Sequence, residues 1–196
     1  MIFTSTELAG VVLITPERIP DERGFFTKTW GEDDFEANGL NPRMVARNLS
    51  FNRQTGTLRG MHFQRAPHAE AKLICALNGA IYDVALDLRR DPPTFGKWVA
   101  RELRADSGEM LYVPEGCAHG LITLEPNTTT DYLISAYYAP EASGGVRWND
   151  PAFQDRMANG AERDVSARSR LARPHLPLRG CQRAVAPSTS VQTQDQ

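Results

Sequence analysis

The dipeptide Asn78-Gly79 stands between two apolar runs, 71–77 (AKLICAL) and 80–88 (AIYDVALDL). Both residues accept positive φ, so the spacing predicts a type I′ turn joining two antiparallel strands. Further strands are predicted at 97–103 (KWVAREL), 109–113 (EMLYV), 119–124 (HGLITL) and 129–138 (TTDYLISAYY). Short strands at this spacing, with proline and glycine between them, indicate a sandwich, jelly roll or barrel. One short helix is expected at 32–38 (EDDFEAN), where Gly39 can end it. No internal repeat is visible.

A chain of 196 residues with 41% hydrophobic content fills one sizeable core and is marginal for two. The net charge of −2 gives no global surface for nucleic acid or membrane. No apolar run approaches the roughly 20 residues that span a bilayer. The start, MIFTSTELAG, lacks the basic and apolar regions of a secretory signal. Cys75, Cys117 and Cys181 make no paired framework, so reduced thiols in a cytoplasmic protein are expected. From about residue 155 the apolar periodicity fades and arginines accumulate over 163–183. A single domain over 1–180 and a polar, disordered tail over 181–196 are therefore expected.

The segment 108–120 (GEMLYVPEGCAHG) resembles the second cupin motif, at Gly108, Pro114, Gly116 and His119. The first motif, which begins at Gly56, places His62 at the first histidine but Gln64 at the second, and Glu70 falls off the pattern. Two imidazoles and an amide are a poor set for a borderline divalent ion, so no metal is expected. A barrel of this kind still offers a pocket at its mouth, where free histidines suit acid–base work near neutral pH. Most lone histidines are structural, and His68 and His175 are read so.

The stretch FNRQTGTLRGMHFQRAPHAEAKLICALNGAIYDVALDLRRDPPTFGKW resembles the heart of the dTDP-4-dehydrorhamnose 3,5-epimerase family. The likeness continues through LYVPEGCAHGLITL, DYLISAYYAPEASGGVRWNDP and, upstream, DERGFF, covering roughly residues 10–151. It implies an all-β, homodimeric cupin jelly roll (a double-stranded β-helix) with a few short helices and no cofactor. It also implies a dTDP-linked keto-sugar substrate and epimerisation at C3 and C5. By this likeness His62 is the general base, Tyr132 the general acid on the opposite face of the sugar, and Lys72 the cation near the keto oxygen. Arg23 and Arg59 match cations around the diphosphate, and Asn48 and His119 match further substrate contacts. Tyr138 matches an aromatic that stacks on the base, and Phe26 (or Phe25) lines the nucleotide end. Taken alone, Arg59 and Lys72 read as solvated charges, and Tyr132 and Tyr138 as strand aromatics. Asp83 and Asp87 alternate with apolar residues, so at least one is expected inside the barrel, orienting His62 or His119 or pairing with Arg59.

The chemistry asks for the same residue types. Hydrogens on C3 and C5 of a 4-keto sugar are both α to the carbonyl, and removing either leaves an enolate with its charge on the C4 oxygen. A base near neutrality, a cation at the oxygen and a proton donor on the far face meet that need. The sequence also departs from the family. An Asp that usually forms a dyad with the base aligns with Ser169, and a Trp-Pro after the DP segment is absent. Lys28 and Ala46 stand where Glu and Gln are common. Three readings follow: a 3,5-epimerase, a single-carbon epimerase or an isomerase of another nucleotide sugar, and a non-catalytic sugar-nucleotide binder. The initial segment 1–15 is a candidate for a strand exchanged between protomers.

Overall fold

In the computed structural model, residues 1–91 and 93–150 are described. The strands are β1 (Ile2–Ser5), β2 (Val12–Thr15), β3 (Ile19–Asp21), β4 (Gly24–Phe26), β5 (Ala46–Asn52), β6 (Leu58–Gln64) and β7 (Lys72–Asn78). They continue as β8 (Ala80–Asp87), β9 (Trp98–Arg104), β10 (Met110–Val113), β11 (Cys117–Thr123), β12 (Thr128–Ile134) and β13 (Ser143–Gly145). The one described helix, α1, spans Glu32–Ala37. Two antiparallel sheets carry the fold, ordered β1-β2-β10-β7-β12-β5 and β13-β6-β11-β8-β9. Strands β3 and β4 form a separate hairpin. This is the all-β cupin jelly roll expected from the sequence.

Side-chain alternation sets what each sheet turns inward. Ile74 of β7, Ile81 and Ala85 of β8, Leu111 of β10 and Leu121 of β11 meet in one buried cluster between the sheets. A second cluster lies on the outer face of the six-stranded sheet, where α1 docks. There Phe35 is fully buried and meets the rings of Phe3 and Tyr112 edge-on. Burying such a side chain contributes roughly 1.5–3 kcal/mol, more than a six-residue helix supplies by itself.

The expected hairpin at Asn78-Gly79 is a correction. Strand β7 pairs with β10 and β12, whereas β8 pairs with β11 and β9, so the two runs lie in different sheets. Asn78 stays paired with Thr129, and only Gly79 takes positive φ (73°). A type I′ turn needs both residues there. The dipeptide therefore turns a corner between sheets, and a Cβ on Gly79 would meet Thr128. The strand predicted at 129–138, β12, is also shorter than expected. It ends at Ile134, where Ser135 Oγ accepts the Ala71 N–H at 2.7 Å, and Tyr137 and Tyr138 then project outward. Strands β1 and β2 pair with each other, and β2 continues onto β10 in the same chain. The expected domain limit at 180, the tail, Ser169, His175 and Cys181 fall outside the described residues.

Candidate active site

The site begins with an irregularity in β6. Its partner β11 matches His119 to His62 and Leu121 to Arg59, so two residues of β6, Gly60 and Met61, face one of β11, Gly120. In a regular strand, positions three apart point to opposite faces. The extra residue of this bulge puts His62 and Arg59 on the inward face together. Gly60 makes it possible: its φ is 117°, and a Cβ there would overlap Gly120 Cα and stand 2.8 Å from the His119 carbonyl oxygen.

The five-stranded sheet supplies His62, Arg59 and His119. Arg59 Nε donates to Asn52 Oδ1 at 2.7 Å, which ties its guanidinium to the opposing sheet. His119 Nε2 lies 2.7 Å from Asp83 Oδ1, with the carboxyl side chain fully buried. A carboxylate accepts, so this pairing favours the tautomer protonated on Nε2. Asp83 is thus the inward carboxyl, and it serves His119. The second Asp83 oxygen is buried without a hydrogen-bond partner among the described residues. Asp87 instead holds Arg89 and Thr94 at the end of β8.

The six-stranded sheet supplies Lys72, Tyr132 and Asn48. Tyr132 stands opposite Asn48 in the β12–β5 register, is half-buried and packs on the central cluster. Lys72 is nearly buried; its Nζ reaches Glu70 Oε1 at 3.0 Å and donates to the His62 carbonyl oxygen at 3.3 Å. Lys72 and His62 therefore meet across the gap between sheets. Desolvation lowers the pKa of His62 first, and the positive field of Lys72, the nearness of His119 and Arg59 add to it. Glu70 opposes them. The imidazole accordingly stays neutral to lower pH than an ordinary histidine.

Three predicted site residues, Arg23, Phe26 and Tyr138, lie off these two inward sheet faces. Arg23 and Phe26 sit on the β3–β4 hairpin, which pairs with neither large sheet, and both are exposed. Arg23 is committed to Asp21 at 2.6 Å. Tyr138 is 70% exposed beyond the end of β12. Lys28 is an exposed partner of Asp33 and Asp34. Ala46, half-buried on β5, shares the inward face with Asn48.

Gln64, where the cupin pattern has a ligand histidine, is engaged by the fold. Its Nε2 donates to the His68 and Tyr137 carbonyls and to Glu70 Oε2, and its Oε1 accepts the Ala139 N–H. Among the described residues no cluster of three or more His, Cys, Asp or Glu is arranged to hold a metal. The sequence reading did not select Glu70 or Asn52. Their signals are faint: Glu70 lies two residues before Lys72 on one face, and Asn52 shares its face of β5 with Asn48.

Known proteins resemble this chain in sequence and fold. A profile described as dTDP-4-dehydrorhamnose 3,5-epimerase matches residues 5–173. The dTDP-4-dehydrorhamnose 3,5-epimerase of Sinorhizobium fredii is 43% identical over 153 residues, covering 78% of each chain. The Bacillus anthracis dTDP-4-dehydrorhamnose 3,5-epimerase, solved with TDP and PPi bound, is 41% identical with a TM-score of 0.75, over 78% of this chain and 87% of that one. The Legionella pneumophila dTDP-6-deoxy-D-glucose-3,5-epimerase, in complex with dTDP-4-keto-L-rhamnose, is 33% identical with a TM-score of 0.73, over 78% and 81% of the two chains. By its profile match, its relatives and its fold, the chain belongs to the dTDP-4-dehydrorhamnose 3,5-epimerase family.

Proposed function

We propose that this protein epimerises dTDP-4-dehydro-6-deoxy-D-glucose at C3 and C5, giving dTDP-4-dehydro-L-rhamnose. The observation that carries this reading is the meeting of His62 and Lys72 on facing sheets, with Tyr132 in the six-stranded wall. Neutral His62 takes the proton from the carbon next to the ketone. The electron pair moves into an enolate, and Lys72 offsets the charge that develops on the C4 oxygen. Tyr132 returns a proton to the same carbon from the other face, which inverts it; water then takes the proton from His62 and restores one to Tyr132, and the second carbon follows by the same steps. Proton transfers alone balance the reaction, so no cofactor enters it. His119, oriented by Asp83, and Asn48 contact the sugar, while Arg59 holds the diphosphate. Arg23, Phe26 and Tyr138 complete the nucleotide end. The ligand of the Legionella relative supports this substrate class.

The protein works as a homodimer in this reading. Leu49 and Phe51 on β5 and Leu77 on β7 leave exposed apolar surface on the outer face of the six-stranded sheet, which a second copy would cover. Light scattering should give twice the mass of one chain. The reaction belongs in the cytoplasm, where thiols such as Cys75 and Cys117 stay reduced.

The test is incubation with dTDP-4-dehydro-6-deoxy-D-glucose in D₂O, followed by NMR. Deuterium at both C3 and C5 is expected. Exchange at a single carbon would make the protein a single-site epimerase, and none, with the nucleotide sugar still bound, would make it a binder. In the His62→Ala protein exchange should fall roughly 10²–10⁴-fold, with nucleotide affinity nearly unchanged.

A further inference from the structure

Lys72 is held from two points of one strand. Glu70 and Lys72, two residues apart, pair at 3.0 Å, and each side chain is only 11% exposed. The other Glu70 oxygen accepts from Gln64 Nε2 at 3.3 Å, and Gln64 is itself fixed by the His68, Tyr137 and Ala139 backbone. Lys72 then donates to the His62 carbonyl. Gln64 and His62 lie two apart on β6, so the chain Gln64–Glu70–Lys72–His62 leaves that strand and returns to it.

A nearly buried ion pair contributes little to stability, because desolvation offsets most of the attraction. Its position gives it a different consequence. An ammonium beside a base opposes the positive charge that the base acquires when it takes a proton. Among the described residues, the charged or titratable groups that act on His62 are Lys72 and Glu70 from β7 and its approach, Arg59 from β6 and His119 (backed by Asp83 of β8) from β11, with Tyr132 on the inward face of β12. Of the described groups that act on the His62 charge, Glu70 alone favours the protonated ring.

We propose that Glu70 is a positioning residue of the reaction: braced by Gln64, its carboxylate fixes the Lys72 ammonium beside His62 and offsets its charge there. The proposal rests on the reading of His62 as base and Lys72 as oxygen cation, and it adds the group that lets the two work side by side. Glu70→Gln keeps the shape and removes the charge. Its kcat should fall roughly 10- to 100-fold through lost placement of the cation. KM should change by less than about twofold, since nothing that binds the nucleotide is altered. Glu70→Asp should recover part of the kcat. In a Lys72→Met background, Glu70→Gln should cost little more, because the cation it holds is gone.

The imidazole titration of His62, followed by NMR in the substrate-free protein, should move to lower pH in Glu70→Gln. A merely structural glutamate would not move it in that direction. An unshifted or raised titration, or a kcat within about twofold of wild type, would overturn the proposal. If the Gln variant does not fold, Glu70→Ala decides, and wild-type kcat there overturns it. Failure of the wild-type protein to turn over the keto-sugar would sink the assigned substrate, while the His62 titration would still judge Glu70.

Discussion

His62 gains its character from what surrounds it. Desolvation and the neighbouring Lys72 lower its pKa from the ordinary 6.5. A base must be neutral to accept a proton, so the acid limb of kcat/KM should lie below that value. A pH series of initial rates measures it, and a limb above the ordinary imidazole value would contradict this electrostatic account. The same shift bears on folding: the unfolded chain binds a proton at His62 more readily than the folded one, so this residue weakens the fold as pH drops. The inward placing of His62 was legible from the spacing of its motif, whereas Lys72 and Tyr132 stood out only through the family resemblance. Glu70 was not legible, because its role arises only where the segment entering β7 passes β6. The pairing of Asp83 with His119 was legible as an alternation, and register selected which histidine it serves.

At the scale of elements, the strand positions were readable from apolar runs, and the partners were not. Asn78-Gly79 carries the usual hairpin signal, yet the backbone uses it as a corner because β7 and β8 each find better neighbours in separate sheets. Local propensity fixes where a strand bends; long-range pairing fixes where it goes. The β6 bulge is likewise invisible in sequence, since LRGMHFQ gives no sign that Arg59 and His62 share a face. Gly60→Ala tests the bulge. At φ 117° a Cβ would press on the β11 backbone, which cannot yield as a flexible side chain can. We expect a loss of about 2 kcal/mol or more in stability, read as a lower thermal midpoint. Turnover should fall beyond what unfolding explains, because His62 and Arg59 would lose their shared face.

For the molecule as a whole, the two sheets bring the proposed base and acid from opposite walls, so the site depends on how firmly the barrel holds together. One tie is Asp87 at the end of β8. It accepts the Arg89 backbone N–H and Nε at 2.9 Å each, Arg89 Nη2 at 2.7 Å and Thr94 Oγ1 at 2.5 Å. Arg89 also donates to the Ala9 carbonyl, so one buried carboxylate anchors both the loop before β9 and the segment between β1 and β2. Burial pushes the Asp87 carboxyl up, but the Arg89 and Thr94 hydrogen bonds outweigh it and leave its pKa lowered from the ordinary 3.8. A lowered carboxyl contributes stability that is present above its unfolded value and lost as pH falls through its folded value. Together with His62, this makes acid the weak side of the fold. Asp87→Asn should cost about 2–3 kcal/mol near neutral pH by leaving Arg89 without its anion. The variant's stability should also fall less steeply as pH drops below the ordinary carboxyl value of 3.8, because the carboxylate whose contribution is lost there is gone. Urea unfolding midpoints across that range measure both effects, and an unchanged acid slope would mean that carboxylates other than Asp87 set the acid limit of the barrel.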